Sequence, residues 1–161
     1  MSGRIVQISV KGRTPGEQGL PKLPIPAARV DARGVEGDYN VYRAERKHGD
    51  PDMAVLLMAL EELRALQAEG WPVMAGHIGE NLTTDGVPYA AMQPGTRWRA
   101  GEVELEVSKP CEPCTNLYQL PYVGEARGPA FLKAIVGRRG WYARVLREGE
   151  VRAGDAFAPL S

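Results

Sequence analysis

Val103-Glu-Leu-Glu-Val-Ser-Lys-Pro-Cys-Glu-Pro-Cys-Thr-Asn-Leu117 joins a strand signal to both cysteines of the chain. Val103, Leu105 and Val107 alternate with Glu104, Glu106 and Ser108, the period-two pattern of a strand with one buried face. Pro110 and Pro113 cannot donate to a sheet ladder, so the strand should end at Lys109. Cys111 and Cys114 then fall on a rigid loop just past the strand end. A short helix is expected from Thr115, with Thr115 or Cys114 near its cap. There the positive end of the helix, helped by Lys109, would favour the Cys114 thiolate, the form that attacks electrophiles and binds metals.

Upstream, Arg97–Ala100 is expected to pair with this strand as a hairpin through Gly101. Further strands are read at Arg4–Val10, Ala27–Val30, Ala54–Met58, near Asn81–Thr84, Trp141–Leu146 and Ala156–Pro159. Leu60, Leu63 and Leu66, among helix-forming charged residues, predict an amphipathic helix that Gly70 closes. Pro129–Val136 predicts a second short helix, closed by Gly137. Lys11–Pro26, rich in Gly and Pro, reads as an extended connector, and Val35–Pro51 as one long loop. The expected class is α+β, β-dominated: a small β-barrel with a few short helices packed outside.

With 161 residues the chain should form a single domain, residues 1–161, with a full core. Its 19 glycines and 13 prolines fit a turn-rich β fold. Twenty basic and twenty acidic residues cancel, so no broad field recruits nucleic acid or an acidic membrane. No long uncharged apolar run and no signal-peptide core is present, so a cytoplasmic protein is expected. In that compartment a Cys-x-x-Cys pair is more often catalytic, redox or metal-binding than a structural disulfide. Structural zinc needs further Cys or His ligands at regular spacing, and His48 and His77 stand alone. Thioredoxin-like exchange calls for a pair opening a helix after an early strand, and this pair comes late. The bland alternative is two inert, packed thiols.

Elsewhere, His48 is a candidate anion or cofactor ligand, or a loop histidine bonded to a carbonyl. Glu80 and Asn81 follow Gly79, which permits close backbone approach, but Gly-Glu-Asn also serves as turn chemistry. Arg138 and Arg139 are either a phosphate clamp or a solvated helix end. Trp141 reads as core.

Gly34-Val-Glu-Gly-Asp38, Lys47-His-Gly-Asp-Pro-Asp52 before Ala54-Val-Leu-Leu57, Gly79-Glu-Asn-Leu82, Pro113-Cys-x-x-Leu117, Gly140-Trp-Tyr142 and Val151-x-x-Gly-Asp155 come in a characteristic order. In this the chain resembles the MOSC domain family, named for the C-terminal domain of molybdenum cofactor sulfurases, and its short stand-alone bacterial members above all. The resemblance implies a β-barrel-like fold that binds the molybdenum cofactor (molybdopterin) or carries sulfur. The family's characteristic cysteine matches Cys114, which the resemblance makes the catalytic residue and molybdenum ligand. Cys111 departs from the family pattern and is expected as a second thiol, resolving or ligating. Asp38, His48, Glu80 and Asn81 would surround the cofactor with Cys114. Two chemistries follow: reduction of N-hydroxylated compounds with electrons from a partner reductase, or a Cys114 persulfide charged by a cysteine desulfurase. Pyridoxal phosphate belongs to a separate domain of the full-length sulfurases and is not expected here. Cofactor carriage without catalysis, or a zinc-tied interaction module, are the non-enzyme alternatives, and the oligomeric state stays open.

Overall fold

The computed structural model describes residues 2–15 and 19–160. These residues form eleven strands: β1 (Gly3–Val10), β2 (Leu23–Ile25), β3 (Ala27–Asp31), β4 (Gly34–Val35), β5 (Val55–Ala59), β6 (Leu82–Asp85), β7 (Arg97–Ala100), β8 (Val103–Pro110), β9 (Trp141–Arg147), β10 (Gly149–Arg152) and β11 (Ala156–Pro159). Three α-helices accompany them: α1 (Val41–Arg46), α2 (Leu60–Ala68) and α3 (Gly124–Ile135). Seven strands close a barrel in the order β11-β7-β8-β9-β5-β6-β1, sealed where Gly3 and Arg4 pair with Phe157 and Ala156. β2 extends the sheet from the far end of β1, and β10, β3 and β4 make a separate small sheet. The expected β-barrel with short helices outside is therefore the fold.

The alternation in β8 fixes its orientation. Val103, Leu105 and Val107 enter the barrel core with Ile5, Ile8, Leu57, Leu82 and Phe157. On the other face Glu104 pairs with Arg99 at 2.7 Å and Glu106 with Arg97 at 2.8 Å, across the β7–β8 ladder. Every residue of β5 is buried, because both of its faces are covered. Val55, Leu57 and Ala59 face the barrel core, and Met58 packs under the helices with Leu63, Leu66, Phe131 and Ile135. Leu56 joins a third, smaller cluster with Met53, Cys111 and Tyr142. That small cluster becomes one wall of the site.

The structure corrects several expectations. β2 lies inside the expected connector, of which residues 16–18 are outside the described residues. Val35–Pro51 is not one loop: Asn40 caps α1 through its side chain, and Pro51–Met53 makes a 3₁₀ turn. The Arg43 side chain holds this segment by donating to the carbonyls of Arg33, Gly49 and Asp50, satisfying acceptors that a free loop leaves to water. Gly149–Arg152, not among the expected strands, pairs with β3 as β10. α3 starts at Gly124, ahead of Pro129. The helix expected from Thr115 is a single 3₁₀ turn, Thr115–Gln119.

Candidate functional site

Beyond Pro110 the chain leaves the barrel at a register shift in the β8–β9 ladder, between Val107 and Lys109. Ser108 sits in this bulge and its hydroxyl donates to the carbonyls of Asp52 and Tyr142. A bulge bends its strand, and here it turns the next residues across the barrel end. The Cys111 N–H then donates to the Gly140 carbonyl at 2.9 Å, tying the cysteine segment to the residues just before β9. Gly140 has φ +108°, and a Cβ there would sit 2.6 Å from the Leu57 carbonyl oxygen, so this bend accepts only glycine. It sets Arg139 beneath the cysteines.

A cavity of about 270 Å³ opens at this end of the barrel. Pro110 to Cys114 form one side, Ile78 and Gly79 another, Leu20 with Lys22 a third, and Tyr39 with Asn40 and Lys47 a fourth. Cys111 is 5% exposed and packs with Met53, Leu56 and Tyr142, and burial pushes its thiol pKa up. Cys114 is half-buried and lines the cavity, in extended conformation ahead of the 3₁₀ turn. Its Sγ accepts a hydrogen bond from Arg139 Nη1 at 2.9 Å. A five-residue 3₁₀ turn has little dipole, so the positive charge at Cys114 comes from this guanidinium instead. Nor is Lys109 the cysteine's partner: its Nζ lies 3.0 Å from Asp50 Oδ2.

Arg139 was missed as a site residue, and neither sequence reading of it holds. Arg138 pairs with Glu62 and Glu69 on the surface, whereas Arg139 is only 7% exposed. The Arg139 guanidinium donates to the Glu112 carbonyl at 2.8 Å, to the Ile78 carbonyl at 3.4 Å and to Cys114, and among the described residues no carboxylate pairs with it. Burial opposes its charge, yet the neighbouring sulfurs of Cys111 and Cys114 hold its pKa above the ordinary arginine value. A buried cation without a carboxylate is costly unless another anion compensates it. The group at hand is the Cys114 sulfur, which accepts from Arg139 Nη1 at 2.9 Å. One sequence signal pointed this way, the position of Arg139 directly before the Gly140-Trp-Tyr142 motif.

Of the other expected site residues, Asp38 and Asn81 come together. Asp38 Oδ2 accepts from Lys22 Nζ at 2.7 Å and from Asn81 Nδ2 at 2.9 Å, and Asn81 Oδ1 accepts the Leu56 N–H at 3.1 Å. This network lies under the cavity and reaches it through Lys22, whose pair with Asp38 is almost wholly buried. Glu80 is fully buried and outside the lining. Its Oε2 accepts from Thr83 Oγ1 at 3.0 Å, its Oε1 has no hydrogen-bond partner among the described residues, and burial pushes its pKa up to about 7. His48, in the left-handed region at φ 52°, is exposed and does not line the cavity, although Lys47 beside it does. Among the described residues no three His, Cys, Asp or Glu side chains gather as a metal cluster, so a zinc-tied module has no ligand set there. Among the described residues no helix is long and apolar enough to cross a membrane.

Arg139→Met offers a direct test of the pairing. It removes a buried charge while keeping most of the volume, so the unfolding midpoint should move little or rise. Alkylation of Cys114 by iodoacetamide at neutral pH should slow, because the sulfur loses its charged hydrogen-bond donor. An unchanged rate would show that the guanidinium does not govern this sulfur.

A strand-closed barrel with a thiol in a cation-lined cavity at one end defines a class of small cysteine-bearing β-barrel domains. The MOSC domain model matches residues 44–158. The chain belongs to the MOSC domain family, a family associated with the molybdenum cofactor. It is similar to the protein YiiM of Escherichia coli, at 35% identity over 132 residues, covering 79% of this chain and 55% of YiiM. It is also similar to a protein named reductase from Gibberella moniliformis, at 32% identity over 136 residues, covering 80% of this chain and 23% of that protein. The chain thus spans about half of YiiM and about a quarter of the reductase. Among solved structures, the YuaD protein of Bacillus subtilis superposes with a TM-score of 0.79 at 18% identity, over 98% of this chain and 94% of that one, a likeness of fold.

Proposed function

We propose that the chain binds the molybdenum cofactor, with the Cys114 thiolate as molybdenum ligand, and reduces N-hydroxylated compounds with electrons from a partner reductase. The observation that carries this reading is a half-buried cysteine at the wall of a cavity, backed by a buried guanidinium that has no carboxylate partner among the described residues. A soft thiolate is a fitting donor for molybdenum. Lys22 and Lys109 line the cavity already paired with Asp38 and Asp50, Arg139 lines it beside Cys114, and Leu20, Leu56 and Ile78 supply apolar surface for a flat ring. The residues present therefore fit the group. The bound cofactor would supply a redox centre. The chain would supply the ligand, the charge that compensates it, and the walls that limit water. The similarity to a protein named reductase supports the redox side of the proposal.

The test is elemental and pterin analysis of protein purified from cells that make the molybdenum cofactor. Near-stoichiometric molybdenum with pterin is the expected result, and screening of N-hydroxylated substrates with a reductase system then follows. Protein free of molybdenum and pterin, with Cys114 carrying a persulfide by mass, would overturn this reading in favour of sulfur carriage.

A further inference from the structure

Cys111 has no place in that proposal, yet it lies against the same cavity and the same guanidinium. Its Sγ is 3.9 Å from the Glu112 carbonyl oxygen; that oxygen is 2.8 Å from Arg139 Nη1, which in turn is 2.9 Å from Cys114 Sγ. One carbonyl and one nitrogen thus bridge the two sulfurs. The intervening residues are Glu112, exposed, and Pro113, half-buried, and no strand or helix runs through residues 111–114. The two thiols differ in the way a stepwise reaction needs. Cys114 is open to the cavity with a guanidinium hydrogen-bonded to its sulfur. Cys111 is buried among Met53, Leu56 and Tyr142.

We propose that Cys111 is a resolving cysteine for Cys114: a hydroperoxide oxidises Cys114, and the pair then closes a reversible disulfide that withdraws the cavity thiol. In the first step the Cys114 thiolate attacks the peroxide O–O bond, giving Cys114 sulfenic acid, while the other oxygen takes up a proton and leaves as an alcohol or water. In the second, the Cys111 sulfur displaces that hydroxyl, an S–S bond forms, and water leaves with the Cys111 proton. The peroxide is the two-electron oxidant, and both sulfurs are oxidised by one electron each. Burial of Cys111 explains the order, because peroxide meets Cys114 first. It also explains reversibility. Among the described residues the disulfide leaves Arg139 a buried cation facing only carbonyls, so reduction, which returns a thiol sulfur acceptor to it, is favoured. The consequence for the cofactor rests on the function proposed above, since an oxidised Cys114 cannot ligate molybdenum; the thiol chemistry does not.

The experiment treats the whole purified chain with stoichiometric hydrogen peroxide, alkylates it under denaturing conditions and weighs it. The wild type should lose both free thiols together, with a mass loss of two hydrogen atoms in the monomer, and dithiothreitol should restore both. Cys111→Ser and Cys111→Ala should instead trap Cys114 as a dimedone adduct, and with excess peroxide as sulfinic acid. A wild type in which Cys114 alone goes to sulfinic acid, at the rate of the Cys111 variants, overturns the proposal. So does a disulfide found only between two chains. Molybdenum and pterin content before and after peroxide is the separate arm: a protein that never holds the cofactor, yet closes and reopens its disulfide, defeats the cofactor reading and leaves this one standing.

Discussion

Cys114→Ala is expected to purify as a folded protein with no molybdenum and no pterin, and its reductase activity should fall to the level of buffer. The fold should survive because Cys114 is half-buried, on an irregular segment outside all three apolar clusters. The cost should come from Arg139, which keeps its carbonyl partners but loses its sulfur acceptor. A buried charged donor deprived of one acceptor costs roughly 1–3 kcal/mol, small enough to leave a cooperative thermal transition. Loss of the ligand has no comparable substitute, since among the described residues the one other thiol lining the cavity is the buried Cys111. The comparison with Cys111→Ala separates the roles: that variant should retain molybdenum. If Cys114→Ala binds metal and pterin as the wild type does, Cys114 is not the ligand.

Glu80→Gln should change the pH dependence of stability by an amount few single substitutions reach. The carboxyl is fully buried, with one oxygen unpartnered among the described residues, and its folded pKa rises from 4.5 to about 7. Between these values the folded chain holds a proton that the unfolded chain has released. Stability therefore falls as pH rises from about 4.5 to about 7, and is level above that. The loss across the window is on the order of 3 kcal/mol. Glutamine keeps the acceptor for Thr83 and cannot ionise, but its amide leaves a buried donor unsatisfied. The wild type should accordingly be the more stable at pH 5 and the variant at pH 8, by urea denaturation. Taking the difference between the two proteins cancels other titrating groups, His77 among them. Parallel curves for the two proteins would show that Glu80 stays ionised in the fold.

The fold was legible where pattern is local. The alternation of Val103, Leu105 and Val107, the leucines of α2 and the apolar run of β5 each announce one element, because periodicity records which faces are covered. What stayed hidden depends on long-range partners. α1 is held by Arg43 donating to carbonyls from Arg33 to Asp50, and β10 exists because β3 offers an edge. The site divides in the same way. The motif around Pro113 and Leu117 singled out Cys114, and the cavity lies beside it. The charge that serves Cys114 comes from Arg139, brought up by a glycine bend 26 residues after the cysteine, and no spacing rule reveals that a guanidinium is buried. Asp38 and Asn81 emerged as partners of one another and of Lys22, acting on the cavity from below.

One pair of strands stands apart in the barrel. β5 and β6 run parallel, while every other barrel pairing is antiparallel. Parallel neighbours cannot be joined by a tight turn, so the chain must travel back outside the sheet, here through α2 and on past Gly70 to Asn81. Ile78 and Gly79 meet the cavity on that return route. The rim of the site is thus carried by a detour whose length the barrel does not dictate. Residues inserted or exchanged along it would reshape the mouth without unzipping a single ladder, which gives this architecture an adjustable aperture over an unchanging thiol.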